Sequence, residues 1–209
     1  MLNALRPAIA RIADAPAERL LRAGVSPDAV TLTGTLGVIV GALALIAQGY
    51  FFAGTMVVTV FVLTDMLDGA MARKRAAQGV PVNPFGGWLD STCDRAADAA
   101  VFAAIIWFYS GAGDDRLIVG LALFCLVAGA IVSYAKARAE GLGLRCDVGL
   151  AERAERLVLT LVPVGFVGIG APDGLLRGGL ALLAVATAYT VGQRALEVRR
   201  QAALAAPVA

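Results

Sequence analysis

The sequence predicts an all-α integral membrane protein: six transmembrane helices preceded by an N-terminal amphipathic helix lying in the membrane interface. Three observations carry that expectation. Of the 209 residues, 59% are hydrophobic and 16% charged, with a mean hydropathy of +0.77, whereas soluble domains run near 45–50% apolar and about 25% charged. At about 20 residues per crossing, the chain has room for roughly six spans and no separate soluble domain. The basic residues, finally, collect at one set of span ends.

Residues 1 to 23 set Leu2, Leu5, Ile9, Ile12, Leu20 and Leu21 among Arg6, Arg11, Arg19 and Arg22, with Pro7 and Pro16 interrupting. A secretory signal would carry a continuous apolar core and a cleavage site; an interfacial amphipathic segment over 1–24 fits instead. Ser26-Pro27-Asp28 then reads as a helix start, with Ser26 as cap, Pro27 at the first helical position and Asp28 at the positive dipole end. The uncharged run 29–47 is the first span. Gln48-Gly49 turns the chain into a second span, 50–72. The third runs from Phe85 through Tyr109, and the fourth covers 117–135 and continues as a polar helix to Glu140. Spans over 156–171 and 175–193 close a six-helix domain of residues 25–200, with 201–209 as a tail.

Of the 18 basic residues, Arg116 and Arg177 alone fall on one side of this arrangement. By the positive-inside rule, both termini and the stretch 65–98 face the cytoplasm of a multi-pass cell-membrane protein. A net charge of +2 argues against nucleic acid as a partner. Cys93, Cys125 and Cys146 are odd in number and lack a C-x-x-C pairing, so they read as buried apolar residues. Histidine is absent, which removes Ser-His and Cys-His catalysis. Any base or metal ligand is then a carboxylate.

Those carboxylates are patterned. Asp65-x-x-Asp68-Gly69-x-x-Ala72-Arg73 is followed, after a connector, by Gly86-x-x-x-Asp90-x-x-x-Asp94-x-x-x-Asp98. Intervals of three and four stack side chains on one helical face, so each cluster forms an acidic stripe in an apolar setting. A carboxylate at mid-bilayer depth costs about 2.5–3.5 kcal/mol, and Arg73 and Arg95 cannot neutralise five. Four carboxylates balance two divalent cations, and an oxygen-only donor set favours Mg²⁺ or Mn²⁺. Two such ions suit phosphoryl chemistry. A salt-bridge network with Arg73 and Arg95 is the plainer alternative, and an intramembrane cation carrier is another. A carrier, however, needs acids spread through the membrane depth, and these sit in one half. Asp98, outside the core spacing, reads as a helix-packing residue.

The eight-position pattern resembles the signature of the CDP-alcohol phosphotransferases, membrane enzymes that pass a phosphatidyl-type group from a CDP-linked lipid to an alcohol. Twelve residues separate Arg73 from Gly86, a longer connector than the family commonly has. The resemblance implies that Asp65, Asp68, Asp90 and Asp94 hold metal, with Asp94 also the base for the acceptor hydroxyl. It further implies that Asp68, Gly69, Ala72, Arg73 and Gly86 border the CDP group. Pro27-Asp28-x-x-Thr31 is similar to a Pro-Asn-x-x-Thr element of the family, with Asp28 either touching the nucleotide or serving only as a helix-start residue.

Further along, Ser133-Tyr134-x-Lys136-Ala137-Arg138-Ala139-Glu140 and Glu152-Arg153-x-Glu155-Arg156 resemble the phosphatidylinositol-phosphate synthase branch of that family. That likeness implies CDP-diacylglycerol and inositol 1-phosphate as substrates. It also implies that Lys136, Arg138, Arg153 and Arg194 hold the acceptor phosphate, as basic side chains bind phosphate oxygens well. An ordinary positive loop against membrane lipids is the alternative for each of these residues. Phosphatidylglycerophosphate synthesis is the competing activity, since its acceptor is also anionic. Family resemblance also suggests a homodimer.

Overall fold

The computed structural model describes residues 6–81 and 83–205, and the side chains of 14–64, 66–81 and 83–204. The apolar and basic pattern over Leu2–Ile12, the side chain of Asp65 and the tail 206–209 lie outside the described residues. Among the described residues seven α-helices follow one another: α1 (Arg6–Arg22), α2 (Pro27–Ala44), α3 (Phe51–Ala77), α4 (Pro84–Ser110), α5 (Arg116–Glu140), α6 (Arg153–Val167) and α7 (Gly174–Ala205).

Four of these, not six, are long and apolar enough to cross a membrane among the described residues. They are α2 with its trailing 3₁₀ turn (Pro27–Gln48), α3, α5 and most of α7 (Gly174–Leu204). The expectation of six transmembrane helices fails at two elements, for different reasons. The 15 residues of α6 reach only about 22 Å at 1.5 Å per residue, short of the roughly 30 Å hydrocarbon core. The sequence predicts a fifth span reaching 171, but the helix stops at Val167, where Gly168 to Gly170 turn the chain and Gly170 takes φ +101°. Helix α4 has 27 residues, yet every stretch of it long enough to span includes Asp94, Arg95 and Asp98.

The chain divides into two compact units, Met1–Phe108 and Tyr109–Ala209. In the first, α2 lies along α3. Gly34, Gly37 and Gly41 recur at helical spacing, and a Cβ at any of them would run into Thr64, the Phe61 ring or Val57. The bare strip lets the two backbones approach. Ser26 caps α2 by accepting from Ala29 N–H at 3.2 Å, with Pro27 at the first helical position as expected. Gly49, at φ +86°, makes the turn into α3, and Phe51 meets Phe108 edge-on at 4.7 Å.

Helix α1 runs unbroken through Pro7 and Pro16, which were expected to interrupt it. Pro7 sits in the first turn, where its missing N–H costs nothing, and Pro16 forgoes one internal bond. Ala17 is fully buried against Ala70 and Met71 of α3, with Leu20, Leu21 and Leu67 around them. Glu18 bridges Arg22 of its own helix and Lys74 of α3, the latter at 3.7 Å. The Arg22 guanidinium holds the Glu18 carboxyl below its usual range. The helix thus docks on α3.

In the second unit, α5 and α6 pack on α7, with Gly179 admitting Pro163 and the Leu159 carbonyl. Asp115 caps α5 through Leu117 and Ile118 N–H and accepts from Arg177 Nε at 2.7 Å. Tyr109 donates to Asp173 at 2.7 Å. All three cysteines are buried and unbridged, as their sequence reading has it.

Candidate active site

Helices α2, α3 and α4 of the first unit enclose a cavity of about 520 Å³. Its walls include Pro27, Asp28 and Thr31 of α2, Asp68, Gly69, Ala72 and Arg73 of α3, and Gly86 and Asp90 of α4. Every residue that the family resemblance places beside the CDP group therefore lines one cavity. The local reasons are the helical period on α3, which puts 68, 69, 72 and 73 on one face, and the glycine strip that draws α2 alongside.

Asp68 is 5% exposed, and its Oδ2 accepts a short hydrogen bond from Oγ1 of Thr31, a residue that is also 5% exposed. A buried carboxylate requires such a donor. Arg73 folds back along α3, its guanidinium 3.4 Å from where a Cβ at Gly69 would stand. At Gly86 the same construction meets Asp28 Oδ1 at 3.2 Å and Asn83 Nδ2 at 3.8 Å. The glycine leaves a gap between two polar side chains.

Asp90 is exposed at the cavity wall. Asp94 lies one turn further, half-buried, and accepts from Arg95 at 3.2 Å; it is not among the cavity's lining residues. Among the described residues, no three Asp, Glu, Cys or His side chains are gathered tightly enough to hold a metal ion, and Asp65 is outside that set. The donors present are all carboxylate or hydroxyl oxygens, the set that suits a hard divalent cation. Asp98, 8% exposed, is buried in α4.

The connector contributes walls the motif does not announce, Arg75, Ala76, Val80, Pro81, Asn83 and Pro84, and Gly87 of α4 adds another. Nothing in the spacing of the acids marks them. Only the prolines at 81 and 84 signal a rigid segment.

The basic residues predicted for the acceptor lie in the second unit, where Lys136 and Arg194 contact the segment 145–151. Lys136 Nζ is 2.7 Å from Asp147 Oδ1 and 3.8 Å from Glu140 Oε1. That contact, first the hydrogen bond and then the charge, lowers the Asp147 carboxyl below its usual range. Arg194 is 4% exposed and donates through Nε to the Val148 carbonyl at 2.9 Å and through a second nitrogen to the Val132 carbonyl. Thr190 Oγ1 accepts from Leu150 and Ala151 N–H. Arg194 and Thr190 together strap this loop to α7. Arg153 opens α6 and is half-buried, whereas Arg138 is exposed. Arg156, which the sequence reading gave no site role, is 3% exposed and reaches the Ala151 carbonyl at 3.4 Å.

A family model described as CDP-alcohol phosphatidyltransferase matches residues 24–191. The phosphatidylinositol phosphate synthase of Streptomyces avermitilis is 47% identical over 190 residues, 88% of this chain and 76% of that protein. The Mycobacterium tuberculosis (strain H37Rv) enzyme of the same name is 47% identical over 192 residues, 90% of this chain and 86% of its own. Among solved structures, M. tuberculosis phosphatidylinositol phosphate synthase with CDP-DAG bound aligns with a TM-score of 0.83 at 46% identity, covering 90% of this chain and 94% of the other. The same enzyme in complex with manganese and citrate aligns at 0.82 and 45% identity, covering 89% and 88%. With its signature intact and four-fifths of its length matched by the family model, the chain belongs to the CDP-alcohol phosphatidyltransferase family.

Proposed function

We infer that this chain is a multi-pass membrane phosphatidylinositol-phosphate synthase: it transfers the phosphatidyl group of CDP-diacylglycerol to an inositol phosphate, giving phosphatidylinositol phosphate and CMP. Similarity at 47% to synthases of that name supports the substrates. The observation that carries the reading is the convergence of Asp28, Thr31, Asp68, Arg73 and Gly86 on one cavity.

The acceptor hydroxyl attacks the phosphorus that bears the diacylglycerol. A new oxygen–phosphorus bond forms as the pyrophosphate bond breaks, and CMP carries away the released charge. Asp94 takes the hydroxyl proton, which suits a chain without histidine. Thr31 orients Asp68, and Arg73, on the cavity wall, binds phosphate oxygens. Two Mg²⁺ or Mn²⁺ ions, held by Asp65, Asp68, Asp90 and Asp94, would polarise the pyrophosphate and stabilise departing CMP. A relative solved with manganese supports the metal.

The acceptor in this proposal is inositol 1-phosphate, its phosphate held by Lys136, Arg138, Arg153 and Arg194. Arg194 already serves two backbone carbonyls, so its contribution is positive potential and a fixed loop as much as a direct contact. The acidic stretch and both termini face the cytoplasm, in keeping with Arg73, Lys74 and Arg75 closing α3. The homodimer is carried over from the family resemblance.

The test is an acceptor panel with purified protein, labelled CDP-diacylglycerol and Mg²⁺ or Mn²⁺. Lipid product and CMP are expected with inositol 1-phosphate. Product from glycerol 3-phosphate or free inositol and none from inositol 1-phosphate would overturn the acceptor. No CMP release with any acceptor would overturn the enzyme.

A further inference from the structure

We propose that Asn83 determines base specificity: together with Asp28, across Gly86, it reads the amino and ring-nitrogen edge of cytosine in the CDP-linked lipid. The proposal rests on the function inferred above and adds a residue that lies outside the family signature.

Asn83 immediately precedes Pro84, the first residue of α4. Its Oδ1 accepts from Phe85 N–H at 3.1 Å, the bond of a helix-capping side chain. That bond fixes which end of the amide is oxygen. The nitrogen, with two hydrogens to donate, is the end directed toward Gly86, 3.8 Å from where a Cβ would stand. Asp28 Oδ1 lies 3.2 Å from the same point. Both residues and the glycine line the cavity that holds Asp68 and Arg73. A donor and an acceptor therefore flank one opening, and a Cβ at position 86 would crowd Asp28 Oδ1 and stand between the two.

Pyrimidine chemistry matches this pair. Cytosine presents its N4 amino group, a donor, beside N3, an acceptor, and carboxylates accept from N4 in other recognition settings. Asp28 takes N4–H and Asn83 Nδ2–H donates to N3. Uracil offers O4, an acceptor, beside N3–H, a donor, so it meets the wrong partner at both positions. A site built to satisfy polar groups rejects analogues that leave them unpaired.

The test separates this role from capping. Asn83→Ser and Asn83→Asp each keep an oxygen able to cap α4 but lose the amide donor. In detergent-purified protein, N83S should raise the KM for CDP-diacylglycerol about 3- to 10-fold, the range for one neutral hydrogen bond. The preference for CMP over UMP as competing ligands should fall by a similar factor, with the unfolding midpoint unchanged. The exchange D28N/N83D should favour UMP. Wild-type KM and an unaltered CMP/UMP ratio in N83S and N83D would overturn the proposal, as would a lowered midpoint with that ratio intact. Wild-type protein that releases no CMP overturns the transferase reading and this inference with it; active wild type with unaffected variants overturns Asn83 alone.

Discussion

Thr31 donates a hydrogen bond to Asp68 across 37 positions of sequence, joining the first turns of α2 to the acidic face of α3. A buried hydrogen bond to a charged group contributes about 1.5–3 kcal/mol. Thr31→Val keeps the shape and removes the donor, so that amount should appear as a lower unfolding midpoint, a higher KM for CDP-diacylglycerol, or both. Wild-type values for the two measurements would remove Thr31 from the site.

Asp94→Asn should lower turnover by about 10²–10⁴, the range for general-base catalysis, while CDP-lipid binding largely persists. Equilibrium binding of labelled CDP-diacylglycerol, set beside single-turnover rates, checks it. Near-normal turnover would assign the base elsewhere.

Arg153→Ala should act chiefly on the acceptor, raising its KM with little change in the KM for CDP-diacylglycerol. Because α6 begins at Arg153, the unfolding midpoint is the control. An unchanged acceptor KM returns the residue to an ordinary basic loop.

Asp115 supplies a pH prediction. Backbone N–H of Ile118, with Arg177 and Leu117 N–H assisting, holds its carboxyl below the usual range. A lowered folded value means the stabilisation is fully present above the unfolded value of about 3.9 and is lost as pH falls through the folded one. Asp115→Asn retains a capping oxygen but cannot ionise. Its unfolding midpoint should fall less steeply than wild type below about pH 4, and parallel curves would contradict the assignment.

Much of the fold was legible because helix starts and motif spacing are local properties. Ser26, Pro27 and the intervals of three and four among the acids need only their neighbours to be read. The span count was not, since it depends on where a helix ends and on how charge is spread within it: Gly168–Gly170 cut α6 short, and the acids of α4 dilute an otherwise apolar segment. Asn83 and Arg194 were illegible as cavity wall and loop strap for a different reason. Their roles depend on partners brought near by folding, and the carbonyls that Arg194 serves are 46 and 62 positions away. Spacing along a helix carries no trace of such contacts.

The seat of α1 on α3 has a mechanical consequence. At 100° per residue, Leu67, Ala70 and Met71 point away from the face that carries Asp68, Gly69, Ala72 and Arg73. One side of α3 is pressed against Ala17 and Leu21, and the other forms the cavity wall. Any roll of α3 that carried Asp68 out of the cavity would also pull Met71 from its apolar seat. The N-terminal helix is thus a rotational lock, setting the bearing of the acids before any substrate arrives.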